Sequence, residues 1–525
     1  MRKNTKQYTA LYQLSGLLNG YKLRNIDVLD NQDSESNHTK FFRFLKSENG
    51  DNETLAAQSI GYKDEDDPNY RRFRVDYRTK LLQTLFFIDA ANPVFKERVQ
   101  AMLRCTQQAA ILDIISRFGY HDTVALYGKE ILEQAQKFEL TEIALKVAIM
   151  LRHVYVQKLK DKNEYLKYKD LCAKLEVEYA IERKSLTYFD DLMSYYTKSI
   201  DIQPEVYDLA DTYYRDLLHH LHENSSCVVI GNTYTIAMIK HLSRLDYKSV
   251  IETCNKAIVA IRNKPFNADN SLTIFFNNKI LAQTNIGLYE EAEQTAEEVL
   301  TITVEGHNNW FNSIERTMRL ALHQNDVTKA FEFFKKAKKH KNFDTLTQSV
   351  KEDWVIVEAY MSFLEKIKVL PDGSVDFKIG KFENSFLMAE KDKSGRNVMI
   401  HIASILHQLI DQQEGIEEKI DTLARYQNRY MDNGQHKRSY FFIAILKCLI
   451  DKKDDLDSVK QQIDELFIQL LAEKYDFNNR IHYGEVIPFH VLWKKYGEKI
   501  VMFAHNSSNA CSKSSIKYSA SSSPM

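Results

Sequence analysis

The feature that most constrains this chain is a short pattern that recurs three times near its middle. The copies end at Val250, Ala292 and Ala330, which lie 42 and 38 residues apart. Each copy has an apolar or aromatic residue three places before that end, and apolar or small residues four and seven places after it. Because residues four and seven apart share one face of a helix, the pattern predicts one helical hairpin per repeat.

Helical periodicity extends from about residue 95 to residue 500. Segments such as 272–280 and 314–322 carry apolar side chains along one side and polar ones along the other. Only 16 glycines and 7 prolines occur among 525 residues, and so few turn-forming residues argue against a β-sandwich or barrel. We therefore predict an all-α fold, an α-solenoid of about ten helical hairpins with a small helical N-terminal cap.

The clearest single repeat is Ser271–Ile302, which has Phe276 in an early aromatic position, followed by Gly287 and Ala292. In this pattern the chain resembles the tetratricopeptide (TPR) superfamily over residues 232–340. The resemblance implies TPR-like hairpins whose first helices line a concave groove for a protein or peptide partner. By analogy with TPR arrays, the groove positions are Thr235, Asn277, Asn285, Arg319 and His323.

Composition divides the chain into four predicted segments. Residues 1–90 form a helical cap with a mobile polar connection at 31–70, which is rich in Asp, Glu, Asn and Ser. Residues 91–370 form the TPR-like array, and a Pro-Asp-Gly turn separates it from C-terminal helical hairpins at 371–505. Residues 506–525 contain nine serines and are predicted to be a disordered tail.

Charge and hydropathy limit the compartment and the partners. The 71 basic and 72 acidic side chains give a formal net charge of -1, which excludes a globally basic coat for nucleic acid. No run approaches the roughly 18 apolar residues that a membrane span needs. The six cysteines are far apart and form no C-x-x-C pair, as expected of reduced thiols. We therefore predict a cytoplasmic protein without membrane contact, whose oligomeric state the sequence leaves open.

The sequence lacks the common catalytic motifs. It contains no G-x-x-x-x-G-K-[ST], G-x-G-x-x-G, G-x-S-x-G or H-E-x-x-H. We therefore predict a non-enzymatic scaffold or adaptor that needs no cofactor. A metal enzyme is an alternative, because His219 and His222 would share one face of a helix, with Asp211 or Glu223 as a further ligand.

A basic segment near the N-terminus supports another alternative. A helix would place Arg71, Arg74 and Arg78 along one side, where they could meet phosphates. Phe73 and Tyr77 would then pack inward. This alternative is a regulator that contacts nucleic acid through its N-terminal region and senses a partner with its TPR-like array. The same arginines are also compatible with a solvated basic face, neutralised by the acidic residues just before them.

Overall fold

A computed structural model of the chain has an all-α architecture, and its described part contains no β-strand. Helices pack on their neighbours in sequence, as in an α-solenoid, so the predicted fold class is confirmed. Nowhere in the described part is a helix both long enough and apolar enough to span a bilayer. The structure describes residues 36–47, 49–86, 88–93, 95–117, 121–198, 204–222, 225–386, 395–411, 415–430, 437–451, 456–473 and 485–515.

The chain divides into two compact units. The first unit is Met1–Ala180 with Pro265–Asn267, and the second is Ile181–Lys264 with Ala268–Met525. The helices of the first unit are α1 (Asn37–Leu45), α2 (Glu53–Ser59), α3 (Pro68–Leu85), α4 (Glu97–Arg117), α5 (His121–Lys137), α6 (Thr141–Gln157) and the first half of α7 (Lys162–Lys198). The boundary between the units thus falls inside one helix, α7, rather than at a predicted segment boundary.

The N-terminal helices form a small aromatic core. Phe41, Phe42 and Leu45 of α1 are buried against Tyr70 and Tyr77 of α3. The prediction of a mobile connection over 31–70 is therefore wrong for the described residues from 36 onward. The polar composition misled the prediction, because three apolar side chains in one helical turn are enough to fix the segment by burial. Residues 1–35 of the predicted cap lie outside the described residues.

The second unit contains the sequence repeats and the C-terminal helices. Its helices are the second half of α7, then α8 (Pro204–Leu218), α9 (Cys227–Leu242), α10 (Tyr247–Arg262), α11 (Asp269–Asn285), α12 (Tyr289–Ile302), α13 (Asn308–His323), α14 (Val327–Lys338), α15 (Gln348–Lys366), α16 (Ile379–Phe386), α17 (Gly395–Asp411), α18 (Ile416–Tyr430), α19 (Lys437–Asp451), α20 (Leu456–Ala472) and α21 (Phe489–Ser515). One hydrophobic core runs from Trp310 to Ile500, so it crosses the predicted boundary at residue 370.

The recurring small residues lie where the paired helices pack. Val250, Ala292 and Ala330 are completely buried, as are Cys254 and Ala337 further along the same faces. The pairs α9–α10, α11–α12 and α13–α14 each form a helical hairpin, which confirms the repeat predicted from the spacing. Small side chains at these positions let the two helix backbones approach each other closely.

The C-terminal helix is longer than the sequence predicts. α21 continues to Ser515, so residues 506–515 are helical, although they belong to the predicted disordered tail. Residues 498–515 contain neither glycine nor proline, so nothing stops a helix that begins in the core from extending. Residues 516–525 lie outside the described residues.

The hairpin turns share a left-handed residue just after each first helix. Leu245, Gly287 and Asn325 have φ values of 55°, 77° and 60°. At this turn, for example, the Leu288 N–H donates to the Gln283 carbonyl at 2.9 Å, which closes the end of α11. Glycine adopts this backbone conformation without strain, and asparagine tolerates it better than leucine does.

Gly287→Ala is expected to destabilise the second unit by about 1 kcal/mol, because alanine resists a positive φ. A Cβ at Gly287 would meet no atom within 4 Å, so the cost comes from the backbone alone. Gly231→Ala is the matched control: it lies inside α9 with equally open space, and there alanine should stabilise by about 0.5–1 kcal/mol. In urea unfolding, the midpoints of the two variants should shift in opposite directions relative to wild type. Equal shifts would contradict the assigned turn.

Candidate functional site

The first helix of each repeat is more enclosed than the second. α11 packs against α10 and α12 on its flanks and against α13 of the next hairpin. Its buried residues consequently lie on several sides, whereas those of α12 are confined to one face. Only a narrow strip of α11 is left for a partner to reach.

The accessible strip of α11 combines an apolar side chain with amides. Ile274 is exposed, and Asn277 and Asn285 are partly exposed. The Asn285 amide donates to the Leu281 carbonyl at 2.9 Å. By contrast, Asn277 Oδ1 is shielded from water and has no hydrogen-bond partner in the structure. We call Ile274, Asn277 and Asn285 the α11 strip; it offers one unsatisfied acceptor next to an apolar anchor.

Two of the five predicted groove residues are not accessible. Thr235 and Arg319 are only 6% and 5% exposed, so the prediction that they line an open groove is wrong for both. Arg319 Nε donates to Glu315 Oε1, one turn earlier on α13, at 2.7 Å. A TPR-like register indicates one side of α13, but it contains no information about what covers that side.

The cover over α13 comes from the C-terminal part of the chain. The Tyr496 hydroxyl of α21 donates to Asn325 Oδ1, just after α13, at 2.9 Å. Arg438 and His490 lie close enough to His323 to lower its pKa, and so does Arg319. The chain itself therefore occupies the end of the predicted groove. Buried or half-buried ionisable residues gather here, and we call the following set the buried charge cluster: Glu315, Arg319, His323, Arg438, Glu485 and His490.

Arg438 is the centre of the buried charge cluster. Its Nε and Nη2 donate to Glu485 Oε1 and Oε2 at 2.8 and 3.1 Å, a two-pronged ion pair between two buried side chains. Its Nη1 donates to the carbonyls of Leu470 and Glu473 at 3.1 and 3.0 Å. Nη2 also lies 3.0 Å from His490 Nδ1. These bonds tie α19, the end of α20 and the start of α21 together.

The histidines of the buried charge cluster are held neutral. Burial, together with the nearby His490, Arg319 and Arg438, lowers the pKa of His323 to about 3. Burial likewise lowers the pKa of His490, assisted by Arg438. The cluster thus balances two arginines against two carboxylates without adding a positive imidazole. Its carboxylates are paired with its arginines.

Sequence reasoning missed Arg438 and Glu485. Each is a charged residue directly beside an apolar run, Ser439–Ile450 for Arg438 and Val486–Phe489 for Glu485. Val486, Ile487 and Phe489 are buried in the core. A charge adjoining a buried run is a signal that it has a buried partner of opposite sign.

The predicted nucleic-acid residues do not form one accessible face. Arg74 is buried and forms an ion pair with the buried Glu53 of α2, so its placement beside Arg71 and Arg78 on an exposed side is wrong. Arg71 is exposed but pairs with Asp66 at 2.9 Å, and Arg78 is exposed. The burial of Arg74 cannot be predicted from the periodicity of α3 alone, because its acidic partner is 21 residues away on another helix.

The histidine pair does not share a helix. α8 ends at Leu218, so His219 and His222 lie beyond it. Asp211, the proposed further ligand, pairs with Lys240 and with Arg215, both at 2.8 Å. Among the described residues no three His, Cys, Asp or Glu side chains are placed to hold a metal ion; Glu223 lies outside them.

Comparison with known proteins gives no family assignment, because no family model and no curated protein matches this chain. The fold by itself defines the class: an all-α helical-repeat protein in which neighbouring helices pack on one another. Its function must therefore be argued from its own residues.

Proposed function

We propose that this protein is a non-enzymatic scaffold or adaptor of the cytoplasm, whose TPR-like hairpins bind a peptide segment of a partner protein along the α11 strip. The observation that carries the proposal is the unsatisfied Asn277 Oδ1 next to the exposed Ile274. A shielded acceptor without a donor costs about 1–3 kcal/mol, and a rotation of the half-exposed Asn277 side chain that brings Oδ1 to a peptide N–H would remove that cost on binding. Ile274 would bury apolar surface in the same contact.

The chemistry of the rest of the chain supports this proposal. In the buried charge cluster, Arg438 is paired with Glu485 and Arg319 with Glu315. Cys105, Cys172 and Cys254 are buried free thiols, as expected in a reducing compartment. The nucleic-acid alternative has less support, because Arg74 is turned into the core.

The double variant Ile274→Ala, Asn277→Ala is expected to weaken peptide binding at least tenfold. Tenfold corresponds to about 1.4 kcal/mol, which the loss of one apolar anchor and one hydrogen bond should exceed. Peptides would be selected from a random display library with the intact wild-type chain, and their dissociation constants measured by fluorescence anisotropy. We avoid Arg319 as a test position, since removing it would leave Glu315 buried without its partner.

Val259→Ala is the matched control, because Val259 is an exposed apolar residue on α10, a second helix. It should leave the affinity within twofold of wild type. Equal affinities for wild type and the double variant would place the selected peptides elsewhere and refute the α11 strip. If the library gave no binder at all, the peptide-binding function itself would be rejected.

A further inference from the structure

Helix α3 of the first unit has two apolar faces. One face, with Tyr70, Phe73, Tyr77 and Leu81, packs into the N-terminal core. The opposite face also carries large apolar side chains: Val75, Leu82 and, at the end of the helix, Phe86 are 53%, 50% and 42% exposed. We call these last three residues the α3 stripe. A row of half-exposed large apolar side chains is typical of a surface that contacts another molecule.

The α3 stripe has the geometry of a helix-docking surface. Its members are seven and four residues apart, so they lie on one line about 16 Å long. Leu82 and Phe86 line a shallow depression of about 550 Å³ together with Arg78, Thr79 and Gln83. Anchors at such spacing match the apolar stripe of a partner helix about three turns long.

The charges beside the α3 stripe are positive. At 100° per residue, Arg71 and Arg78 lie on one side of the stripe and Arg72 on the other. Arg71 already pairs with Asp66, whereas Arg72 and Arg78 form no ion pair with any of the residues that the structure describes. The surface therefore has an apolar centre with an unpaired cation on each side.

We propose that the α3 stripe docks an amphipathic helix of a partner protein, with an apolar stripe flanked by Asp and Glu. Carboxylates on both sides would pair with Arg72 and Arg78 while apolar side chains meet Val75, Leu82 and Phe86. A nucleic acid fits less well, because two unpaired arginines separated by apolar side chains offer no track for successive phosphates. This site is on the first unit and is independent of the α11 strip.

The proposal is tested with two synthetic helical peptides and the full-length chain. Both peptides carry leucines at helical spacing; one has glutamates beside them and the other has lysines. Wild type should bind the glutamate peptide with a dissociation constant of tens of micromolar, as expected for a small interface, and more weakly at high salt. It should bind the lysine peptide at least tenfold more weakly.

Arg72→Glu with Arg78→Glu should reverse the preference between the two peptides. Loss of folding would not be expected to increase the affinity for the lysine peptide. The reversal is therefore informative even if the variant is less stable. Lys169→Glu with Arg183→Glu makes the same change in net charge on exposed residues of α7 and should leave both affinities unchanged. Leu82→Gln should weaken the glutamate peptide at least fivefold.

Three results would overturn the proposal. One is a glutamate peptide that binds wild type and the Arg72, Arg78 variant equally well. Another is no binding of that peptide by wild type at low salt. The third is duplex DNA that binds more tightly than the peptide and is lost on the same charge reversal, which would assign the arginines to nucleic acid. None of these results bears on the peptides that bind the α11 strip.

Discussion

Arg438→Ala should destabilise the second unit by about 3–5 kcal/mol, among the largest effects of any single substitution in this protein. The reason is that Glu485 would remain buried as an uncompensated carboxylate, while the carbonyls of Leu470 and Glu473 would lose their donor. The loss should appear in urea unfolding followed by tryptophan fluorescence. All three tryptophans, Trp310, Trp354 and Trp493, belong to the second unit, so the signal is specific for it.

The control for Arg438→Ala lies on the same helix. Lys447 of α19 pairs with Asp421 and, at 3.6 Å, with Asp451, but all three side chains are well exposed to water. Lys447→Ala should therefore cost no more than about 1 kcal/mol. Replacing both buried partners, as in Arg438→Met with Glu485→Leu, should recover part of the loss, because no lone charge is then left in the core. An Arg438→Ala variant as stable as Lys447→Ala would refute the structural role of this ion pair.

The repeat hairpins were predictable because the period reports local packing. Val250, Ala292 and Ala330 are small for a reason that acts between two helices joined by a short turn. The same argument applies to the turns, where Gly287 marks a left-handed residue that Leu245 and Asn325 also adopt. Interactions within one hairpin therefore produce a pattern that can be recognised in a single sequence.

The environment of the predicted groove was not predictable in the same way. Arg319 and His323 are four residues apart and share one side of α13, but Arg438 and His490 cover that side from more than a hundred residues away. Periodicity indicates which face of a helix is apolar, yet it contains no information about which distant segment lies on it. The prediction that Arg74 is exposed was wrong for the same reason, since its partner Glu53 belongs to another helix.

Acidification from pH 7 to pH 5 should destabilise the second unit. Burial lowers the pKa of His323 to about 3 and that of His407, whose Nε2 lies 2.9 Å from the Ala359 carbonyl, to about 4. The ordinary value is about 6.5, so below pH 6.5 the unfolded chain binds protons that the folded chain rejects. The stabilisation from keeping these histidines neutral is therefore fully present above pH 6.5. Below that pH, each histidine lowers the free energy of unfolding by about 1.4 kcal/mol per pH unit.

Glutamine variants separate this effect from general acid sensitivity. His323→Gln with His407→Gln removes both buried imidazoles, so its unfolding free energy should vary much less between pH 7 and pH 5 than that of wild type. His219→Gln, which changes an exposed histidine of the same unit, should keep the wild-type slope. Tryptophan-detected urea unfolding at several pH values measures all three slopes. If the double variant keeps the wild-type slope of unfolding free energy against pH, other groups take up the protons. If its unfolding free energy does not change with pH, the two buried imidazoles are responsible for the loss of stability in acid.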